Sequence, residues 1–142
     1  MKQLRDIMTK NVTCCTPQDT VSQAAMAMKQ HNVGSVPVCE NKRVVGMVTD
    51  RDIVLRCCAE QLPLTTPVQQ IMSQNVVTAS PDMSVDEAAH LMSGQQIRRL
   101  PVVENGQIVG IVAIGDMAVR HPHAEEAGHA LSDISTPSQP LQ

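Results

Sequence analysis

Thr49 and Asp52 stand three residues apart, where an apolar run gives way to a predicted helix. Helical spacing places both side chains near the same end of that helix. A carboxylate accepts hydrogen bonds from two neighbouring hydroxyl groups, such as those of a sugar, and backbone N–H groups at a helix start favour a negatively charged ligand. The pattern indicates a site for a sugar phosphate. The alternative interpretation is that both residues only cap the helix.

Two adjacent arginines, Arg98 and Arg99, are the second chemical feature. They directly precede the apolar strand that contains Leu100 and Pro101. Guanidinium groups donate several hydrogen bonds in a fixed fork, which suits phosphate oxygens. We therefore assign the pair to phosphate binding, and the alternative is a solvated pair on the protein surface.

The charge and composition exclude several functional classes. The chain has 142 residues, with 11 Lys and Arg against 14 Asp and Glu, and its formal net charge is −3. This balance argues against a general nucleic-acid binder or a polybasic membrane binder, since both act by neutralising phosphate. Phe, Tyr and Trp are absent, which excludes aromatic platforms for single-stranded bases. The nine methionines are expected to fill a core without aromatic rings.

The sequence also bears on the cellular compartment. No apolar run approaches the roughly 20 residues that a membrane-spanning helix needs. Residues 1–6 mix charges without the apolar stretch of a signal peptide, so we expect a cytoplasmic protein. An odd number of cysteines in that compartment does not suggest a disulfide framework. The cysteines are Cys14, Cys15, Cys39, Cys57 and Cys58.

Catalytic and metal-binding motifs are weak or absent from the sequence. Neither Gly-x-Ser-x-Gly nor the phosphate-binding Gly-x-x-x-x-Gly-Lys occurs, and no nucleophile–base pair is conspicuous. Three histidines near the end of the chain, His121, His123 and His129, lack the Cys-x-x-Cys or His-Glu-x-x-His spacing of zinc sites. The sequence predicts a binding protein rather than an enzyme, with no metal and no cofactor.

The chain repeats itself after 64 positions. Within residues 7–56, 18 of the 50 residues are identical to those 64 positions later, and no gap is needed. The dipeptide Ile7-Met8, for example, falls on Ile71-Met72. Two copies of one structural unit are therefore predicted.

Each copy begins with a short extended run and a helix. The extended runs cover residues 12–16 and 76–80, and a proline follows each. The next helices, which begin at Val21 and Val85, carry apolar residues at i, i+3, i+4 and i+7. Each helix starts with a predicted capping box. The two boxes are Thr20-x-x-Gln23 and Ser84-x-x-Glu87.

A hairpin and a second helix complete each copy. The predicted strands cover residues 35–39 and 43–49 in the first copy and residues 99–104 and 107–113 in the second. Asn105-Gly106 between two apolar runs is a strong signal for a tight hairpin turn. The closing helices are predicted over about residues 50–59 and 114–120.

These elements predict a mixed α/β (α+β) fold. The expected boundaries are residues 1–60 for the first repeat, 61–67 for a linker, 68–121 for the second repeat and 122–142 for a tail. A unit of about 50 residues buries too little surface to be stable alone. We therefore expect the repeats to pack about a pseudo-twofold axis, sheet against sheet. The tail is expected to be weakly helical at first and disordered at its Ser/Pro/Gln-rich end.

The motifs of both copies resemble those of cystathionine-β-synthase (CBS) domains. Residues 46–52, Gly-Met-Val-Thr-Asp-Arg-Asp, fit the Gly-x-x-Thr-x-x-Asp motif of that family, and residues 36–38 and 100–102 fit its apolar-Pro-Val strand. The resemblance covers roughly residues 4–120, and it implies two β-α-β-β-α repeats. The chain is similar to stand-alone tandem CBS pairs (Bateman modules), such as the small prokaryotic hypoxic response proteins.

The resemblance implies an adenosine-containing ligand, such as AMP, ADP, ATP or S-adenosylmethionine, in a cleft between the two repeats. Asp52 would accept from the ribose hydroxyls beside Thr49, and Arg98 and Arg99 would bind phosphate. In the absence of aromatic rings, backbone groups and aliphatic side chains would hold the adenine. The candidates for that role are Val77, Thr78, Ala79 and Ile97.

The second cleft is expected to be weaker than the first. Ala113 stands where the first copy has Thr49, and Gly34-Ser35 stands where the second copy has its arginine pair. One good site is therefore expected. The residues assigned to the weaker cleft are Thr13, Cys14, Ser35 and Asp116.

The sequence thus predicts a non-catalytic regulatory module, expected to be a homodimer, that signals to an unknown downstream protein by conformational or dimer rearrangement. One alternative is a structural or interaction protein with a degenerate cleft. Another is a metal- or redox-responsive protein that uses Cys14, Cys39 and the tail histidines. The strands of Cys14 and Cys39 are neighbours in CBS domains, although two small buried thiols would look the same in the sequence.

Overall fold

The computed structural model describes residues 2–120, which fall into two compact units. The first-repeat unit contains Val12–Val77 together with Asn105–Ile108. The second-repeat unit contains residues 2–11, Thr78–Glu104 and residues 109–120. Each unit therefore contains most of one repeat and a short opening segment of the other. The first-repeat unit includes the start of the second repeat up to Val77, and the second-repeat unit includes the start of the first repeat up to residue 11.

Helices and short antiparallel hairpins alternate along the chain. In chain order the elements are helix α1 (Leu4–Ile7), helix α2 (Val21–His31), strands β1 (Ser35–Glu40) and β2 (Arg43–Thr49), helix α3 (Asp50–Asp52), a π-helix (Ile53–Cys58), a 3-10 helix (Val68–Gln70), helix α4 (Val85–Gln95), strands β3 (Arg99–Glu104) and β4 (Gln107–Ala113), and helix α5 (Ile114–Arg120). Strand β1 pairs with β2, and β3 pairs with β4. The predicted mixed fold class is confirmed.

Some expectations concern residues outside the described range. These are the tail at residues 122–142 and the three histidines His121, His123 and His129. Within residues 2–120, no helix is long and apolar enough to cross a membrane.

Both hairpins turn through two residues with positive φ, the geometry of a type I′ turn, which suits the twist of antiparallel strands. Asn41 and Lys42 have φ values of 51° and 66°. Asn105 and Gly106 have φ values of 53° and 79°. The turn predicted from Asn105-Gly106 is therefore confirmed.

The capping boxes fix where the long helices start. The hydroxyl of Thr20 accepts from the Gln23 N–H (3.1 Å), and the Gln23 side-chain oxygen accepts from the Thr20 N–H (2.8 Å). In α4, the hydroxyl of Ser84 accepts from the Glu87 N–H (3.1 Å). Both hydrogen bonds of the predicted box at Thr20 are present, which confirms it. At Ser84 the bond to the serine hydroxyl is confirmed.

The core of the first-repeat unit is built from aliphatic residues and sulfur-containing side chains. Three residues of the predicted apolar stripe of α2 supply one side, and alternating residues of the hairpin supply the other. The fourth predicted residue, Ala25, is exposed. The buried members of this core are Cys15, Val21, Ala24, Met28, Val36, Val38, Val48, Cys57, Val68 and Ile71. Such a core stabilises the unit by removing apolar surface from water.

The first extended run of each repeat is shorter than predicted. Only one residue of each run forms a bridge to a hairpin strand. The two parallel bridges join Cys15 to Val38 and Ala79 to Val102. In the first run the N–H of Thr16 donates to the carboxylate of Asp19 (2.9 Å) rather than to a strand of the hairpin. The pairing with the hairpin therefore ends after Cys15. The prediction of full strands over residues 12–16 and 76–80 was therefore wrong in length.

The second helix of the first repeat lies where it was predicted, at about residues 50–59, but its backbone is wider. Only α3 is α-helical, and Ile53–Cys58 form a π-helix. The Ala59 N–H donates to the Val54 carbonyl, five residues back (2.8 Å). The expectation of a regular α-helix was wrong, because apolar spacing over so few residues does not distinguish the two geometries.

In the first-repeat unit, Met72 packs against a glycine of the hairpin. Ser73 and Met47 exchange two backbone hydrogen bonds of 2.9 Å each, which fixes the segment beside β2. A Cβ atom placed on Gly46 would lie 2.4 Å from the sulfur of Met72. Glycine is therefore favoured at position 46, because Met72 occupies the space of a side chain.

The second-repeat unit repeats this arrangement with Met8. Thr9 and Ile111 exchange backbone hydrogen bonds of 2.9 and 3.0 Å. A Cβ atom on Gly110 would lie 2.5 Å from the sulfur of Met8 and 3.1 Å from the Thr9 carbonyl oxygen. The Ile-Met segment of each sequence copy thus docks on the hairpin glycine of the other copy.

Candidate functional site

Thr49 and Asp52 meet at the end of β2. The Thr49 N–H donates to Oδ2 of Asp52 (3.1 Å), and the Asp52 N–H donates to the Thr49 hydroxyl (2.9 Å). These two bonds form a capping box, so the capping role considered for both residues is present. The bond from the Thr49 N–H also orients the Asp52 carboxylate.

The Asp52 carboxylate is buried, at 8% exposure, but its other partners are distant. The hydroxyl of Ser73 lies 3.5 Å from Oδ1 and 3.4 Å from Oδ2, and the Arg56 Nε lies 3.8 Å from Oδ1. Hydroxyl donors normally approach an oxygen to about 2.7–2.8 Å. Among the described residues, Oδ1 therefore has only long contacts, and it retains capacity to accept a shorter hydrogen bond.

Arg56 connects the π-helix to the segment that carries Ser73. Its Nη1 donates to the carbonyls of Ile71 (3.4 Å) and Met72 (3.3 Å). An open cavity of about 530 Å³ adjoins this arginine. The residues that line the cavity are Arg56, Gln69, Gln70, Met72, Ser73, Gln74 and Asn75.

Ser73 and Arg56 were not among the residues predicted from the sequence. Residues 64 positions apart have similar side chains at both sites. The counterpart of Ser73 is Thr9, which also has a hydroxyl group, and the counterpart of Arg56 is Arg120. The sequence thus provides a hydroxyl residue and an arginine at the equivalent positions of both copies. Comparing the copies by side-chain chemistry as well as by identity would have identified these two residues.

In the second-repeat unit, Asp116 has part of the same environment. The Ala113 N–H donates to Oδ2 of Asp116 (3.3 Å), as Thr49 does to Asp52, but Ala113 has no hydroxyl to return a bond. Arg99 is half-buried, and this burial lowers its pKa, while the charge of Asp116 acts in the opposite direction. Arg98 is exposed.

The residues assigned to adenine differ in how available they are. Val77 and Ile97 are half-buried, and Thr78 is exposed. Ala79 is only 5% exposed. Its N–H donates to the Pro101 carbonyl (3.0 Å), and its carbonyl accepts from the Val103 N–H (2.7 Å). The backbone of Ala79 is thus already engaged, which leaves the other three as the more accessible candidates.

The residues assigned to the weaker cleft lie in both units. The Thr13 hydroxyl is exposed and lies 3.2 Å from Nε2 of His31. Cys14 and Ser35 are half-buried in the same unit, whereas Asp116 belongs to the second-repeat unit. The structure brings Thr49 together with Asp52. Combining these residues with Arg98 and Arg99 into one site stays a prediction.

Comparison with known proteins adds evidence of another kind. The CBS domain family model matches residues 4–57 and 68–120. The CBS domain-containing protein YhcV of Bacillus subtilis (strain 168) is 47% identical over 135 residues, which cover 95% of this chain and 96% of that protein.

Two solved structures are similar in fold. The crystal structure of Hypoxic Response Protein I with two coordinated zinc ions has a TM-score of 0.79 and 34% identity, over 85% of this chain and 100% of that one. The CBS domain pair of protein MJ0100, in complex with 5′-methylthioadenosine and S-adenosyl-L-methionine, has a TM-score of 0.74 and 29% identity, over 83% of this chain and 94% of that one. Within residues 2–120 of this chain, no three His, Cys, Asp or Glu residues are grouped to hold a metal ion.

The two family matches cover most of the chain and coincide with the two copies found in the sequence. They also contain the Gly-x-x-Thr-x-x-Asp segment whose threonine and aspartate form the capping box. The chain belongs to the CBS domain family, as a pair of repeats of the regulatory-module type.

Proposed function

We propose that this chain is a non-catalytic regulatory module that binds an adenosine-containing ligand through Asp52. The observation that carries the proposal is the state of that carboxylate. Asp52 is 8% exposed, its carboxylate is oriented by Thr49, and within residues 2–120 its Oδ1 has only long contacts. A ribose hydroxyl would form a shorter, charge-assisted hydrogen bond there. The MJ0100 pair, with its methylthioadenosine and S-adenosylmethionine ligands, supports this ligand class.

In this proposal Ser73 is displaced or joined by the ligand. Its hydroxyl contacts both carboxylate oxygens, at 3.5 and 3.4 Å, so little hydrogen-bond energy is lost when a ribose hydroxyl takes its place. Arg56 remains bonded to two backbone carbonyls and keeps positive charge beside Asp52. The two oxygens of the carboxylate can accept two hydrogen bonds from a ribose.

We assign the phosphate of a nucleotide to Arg98 and Arg99, and the adenine to Val77, Thr78 and Ile97, with Ala79 as an apolar contact. Arg99 is held near Asp116, whose charge partly offsets its own. The cleft assigned to Thr13, Cys14, Ser35 and Asp116 would bind more weakly, because Ala113 supplies no hydroxyl. Binding would shift the population of chain or homodimer conformations and so signal to a partner protein.

Isothermal titration calorimetry with AMP, ADP, ATP, S-adenosylmethionine and 5′-methylthioadenosine tests the proposal. Asp52→Asn keeps the acceptor for the Thr49 N–H but removes the charge. We expect affinity to fall roughly tenfold or more, because hydrogen bonds to charged groups are worth about 1.5–3 kcal/mol. Asp50→Asn removes the same charge at an exposed neighbour and serves as the matched control.

The arginine assignment has a separate readout. The variant Arg98→Ala/Arg99→Ala should weaken AMP, ADP and ATP while leaving 5′-methylthioadenosine, which has no phosphate, nearly unchanged. Equal losses for all ligands would contradict the phosphate role. Failure of wild type to bind any of the five compounds would favour the alternative of an interaction protein with a degenerate cleft.

A further inference from the structure

Two cysteine thiols contact each other in the first-repeat unit, outside the group formed by Thr49 and Asp52. The sulfur atoms of Cys14 and Cys39 are 3.4 Å apart, and both cysteines are free. Cys14 is half-buried and Cys39 is 7% exposed. The pair is thus shielded in part, but Cys14 remains open to a small reagent.

Backbone hydrogen bonds hold the segment that contains Cys14 beside strand β1, which contains Cys39. The Cys15 N–H donates to the Pro37 carbonyl (2.9 Å), and the Cys39 N–H donates to the Cys15 carbonyl (2.8 Å). Along an extended segment neighbouring side chains point to opposite faces. Cys15 packs into the core at 4% exposure, so Cys14 is directed to the other face, where it meets Cys39.

The two sulfur atoms lie a short distance beyond the length of a disulfide bond. A disulfide bond is about 2.05 Å long, so the sulfur atoms must approach each other by only about 1.3–1.4 Å. Rotation about the two Cα–Cβ bonds supplies movements of this size without breaking the backbone hydrogen bonds. Cys39 also lies at the irregularity in the register of β1, which falls between Val38 and Cys39.

The electrostatics give the two cysteines different roles. The Cys39 thiol donates to the Cys14 sulfur, which lowers the pKa of Cys14 and raises the pKa of Cys39. Burial raises the pKa of Cys15 to about 11, with Asp19 and Cys14 acting in the same direction. The thiolate is the reactive form of cysteine, so Cys14 is the nucleophile of this group and Cys15 is unreactive.

We infer that Cys14 and Cys39 form a reversible dithiol–disulfide site that reacts with low-molecular-weight disulfides such as glutathione disulfide. The Cys14 thiolate attacks one sulfur of the small disulfide, forms a mixed disulfide and releases the first thiolate. Cys39 then loses its proton to solvent and attacks the Cys14 sulfur, which releases the second thiolate. The two protein thiols lose two electrons and two protons, and the small disulfide gains them as two thiols.

This inference does not depend on the adenosine ligand, and it needs no metal. It assigns redox chemistry to two thiols that have no such role in the proposed function. It also distinguishes Cys14 from the adjacent Cys15, which is buried in the core.

Peptide mapping of the full-length chain tests the site directly. The protein is equilibrated with mixtures of reduced and oxidised glutathione, quenched with acid, alkylated and digested with trypsin without reduction. Cleavage after Lys10, Lys29 and Lys42 places Cys14 on peptide 11–29 and Cys39 on peptide 30–42. We expect these peptides to become linked through Cys14, with alkylatable cysteines falling from five to three, and dithiothreitol to reverse the change.

Variants complete the test. Cys14→Ser and Cys39→Ser should each abolish the link, and Cys58→Ser, at an exposed cysteine outside the pair, should leave it intact. In wild type, fragment-ion sequencing of the linked peptides distinguishes Cys14 from Cys15, which both lie on peptide 11–29, so the test does not depend on a variant that folds poorly. A link through Cys15, Cys57 or Cys58 would overturn the inference, as would a stable glutathione adduct on Cys14 with Cys39 still alkylated.

Discussion

From the contact between Gly46 and Met72 we predict how far Gly46→Ala lowers the free energy of unfolding. The added Cβ would lie 2.4 Å from the Met72 sulfur, 2.9 Å from its Cγ and 3.1 Å from its Cε. Non-bonded carbon and sulfur atoms need at least about 3.5 Å, so Met72 must move by roughly 1 Å. Overpacking of this kind costs about 1–3 kcal/mol, and the lower backbone entropy of alanine returns about 0.5–1 kcal/mol.

We therefore expect Gly46→Ala to reduce the free energy of unfolding by about 1–2 kcal/mol, because Met72 is unbranched and half-buried and adapts in part. Gly110→Ala should cost more, since its Cβ would also lie 3.1 Å from the carbonyl oxygen of Thr9, a backbone atom held in a bridge to Ile111. Backbone atoms yield less easily than the end of a flexible side chain.

Urea unfolding followed by far-UV circular dichroism measures these effects, since the chain has no tryptophan or tyrosine for fluorescence. Gly46→Ala should cost little when it is made in a Met72→Ala background, which corresponds to a coupling free energy of about 1 kcal/mol or more. Gly94→Ala is the control, because nothing lies within 4 Å of its Cβ and it sits in helix α4. It should stabilise the protein by about 0.5–1 kcal/mol. The reasoning is refuted if Gly46→Ala is as stable as wild type, or if Met72→Ala gives no relief.

Three further predictions concern the cap and the cysteines. Thr20→Ala removes the capping box and should lower the free energy of unfolding by about 1–2 kcal/mol in the same urea assay, whereas Thr20→Ser should retain most of it. Iodoacetamide reacts with the thiolate, and Cys39 lowers the pKa of Cys14, so the rate at Cys14 should rise at a lower pH in wild type than in Cys39→Ala. An unchanged pH–rate curve would argue against the donated hydrogen bond. A Cys14–Cys39 disulfide closes a loop between residues 25 positions apart, so the oxidised protein should be about 3 kcal/mol more stable to urea than the reduced protein.

The local elements could be predicted from the sequence because each has a local cause. The stripe that begins at Val21 and the Thr20 cap define α2, and Asn105-Gly106 defines a two-residue turn with positive φ. The Thr49–Asp52 pair was found for the same reason, since its two bonds lie within one turn of chain. These features need no knowledge of how distant segments pack.

The rest depends on contacts between segments that are distant in sequence. The Ile-Met motif repeats visibly, but its identity does not tell which hairpin it packs against, and the structure places Met8 on Gly110 and Met72 on Gly46. Ser73 becomes part of the candidate site only through that packing. The distance between Cys14 and Cys39 likewise depends on the bridge made by Cys15, which the expected strand did not define.

The most direct test of the central claim is native mass spectrometry of the purified chain with each of the five adenosine compounds. The account predicts one ligand bound per chain for at least one compound, held by the copy with both Thr49 and Asp52, and loss of that adduct in Asp52→Asn but not in Asp50→Asn. A chain that binds none of the five, or an Asp52→Asn variant that retains the adduct, would contradict it.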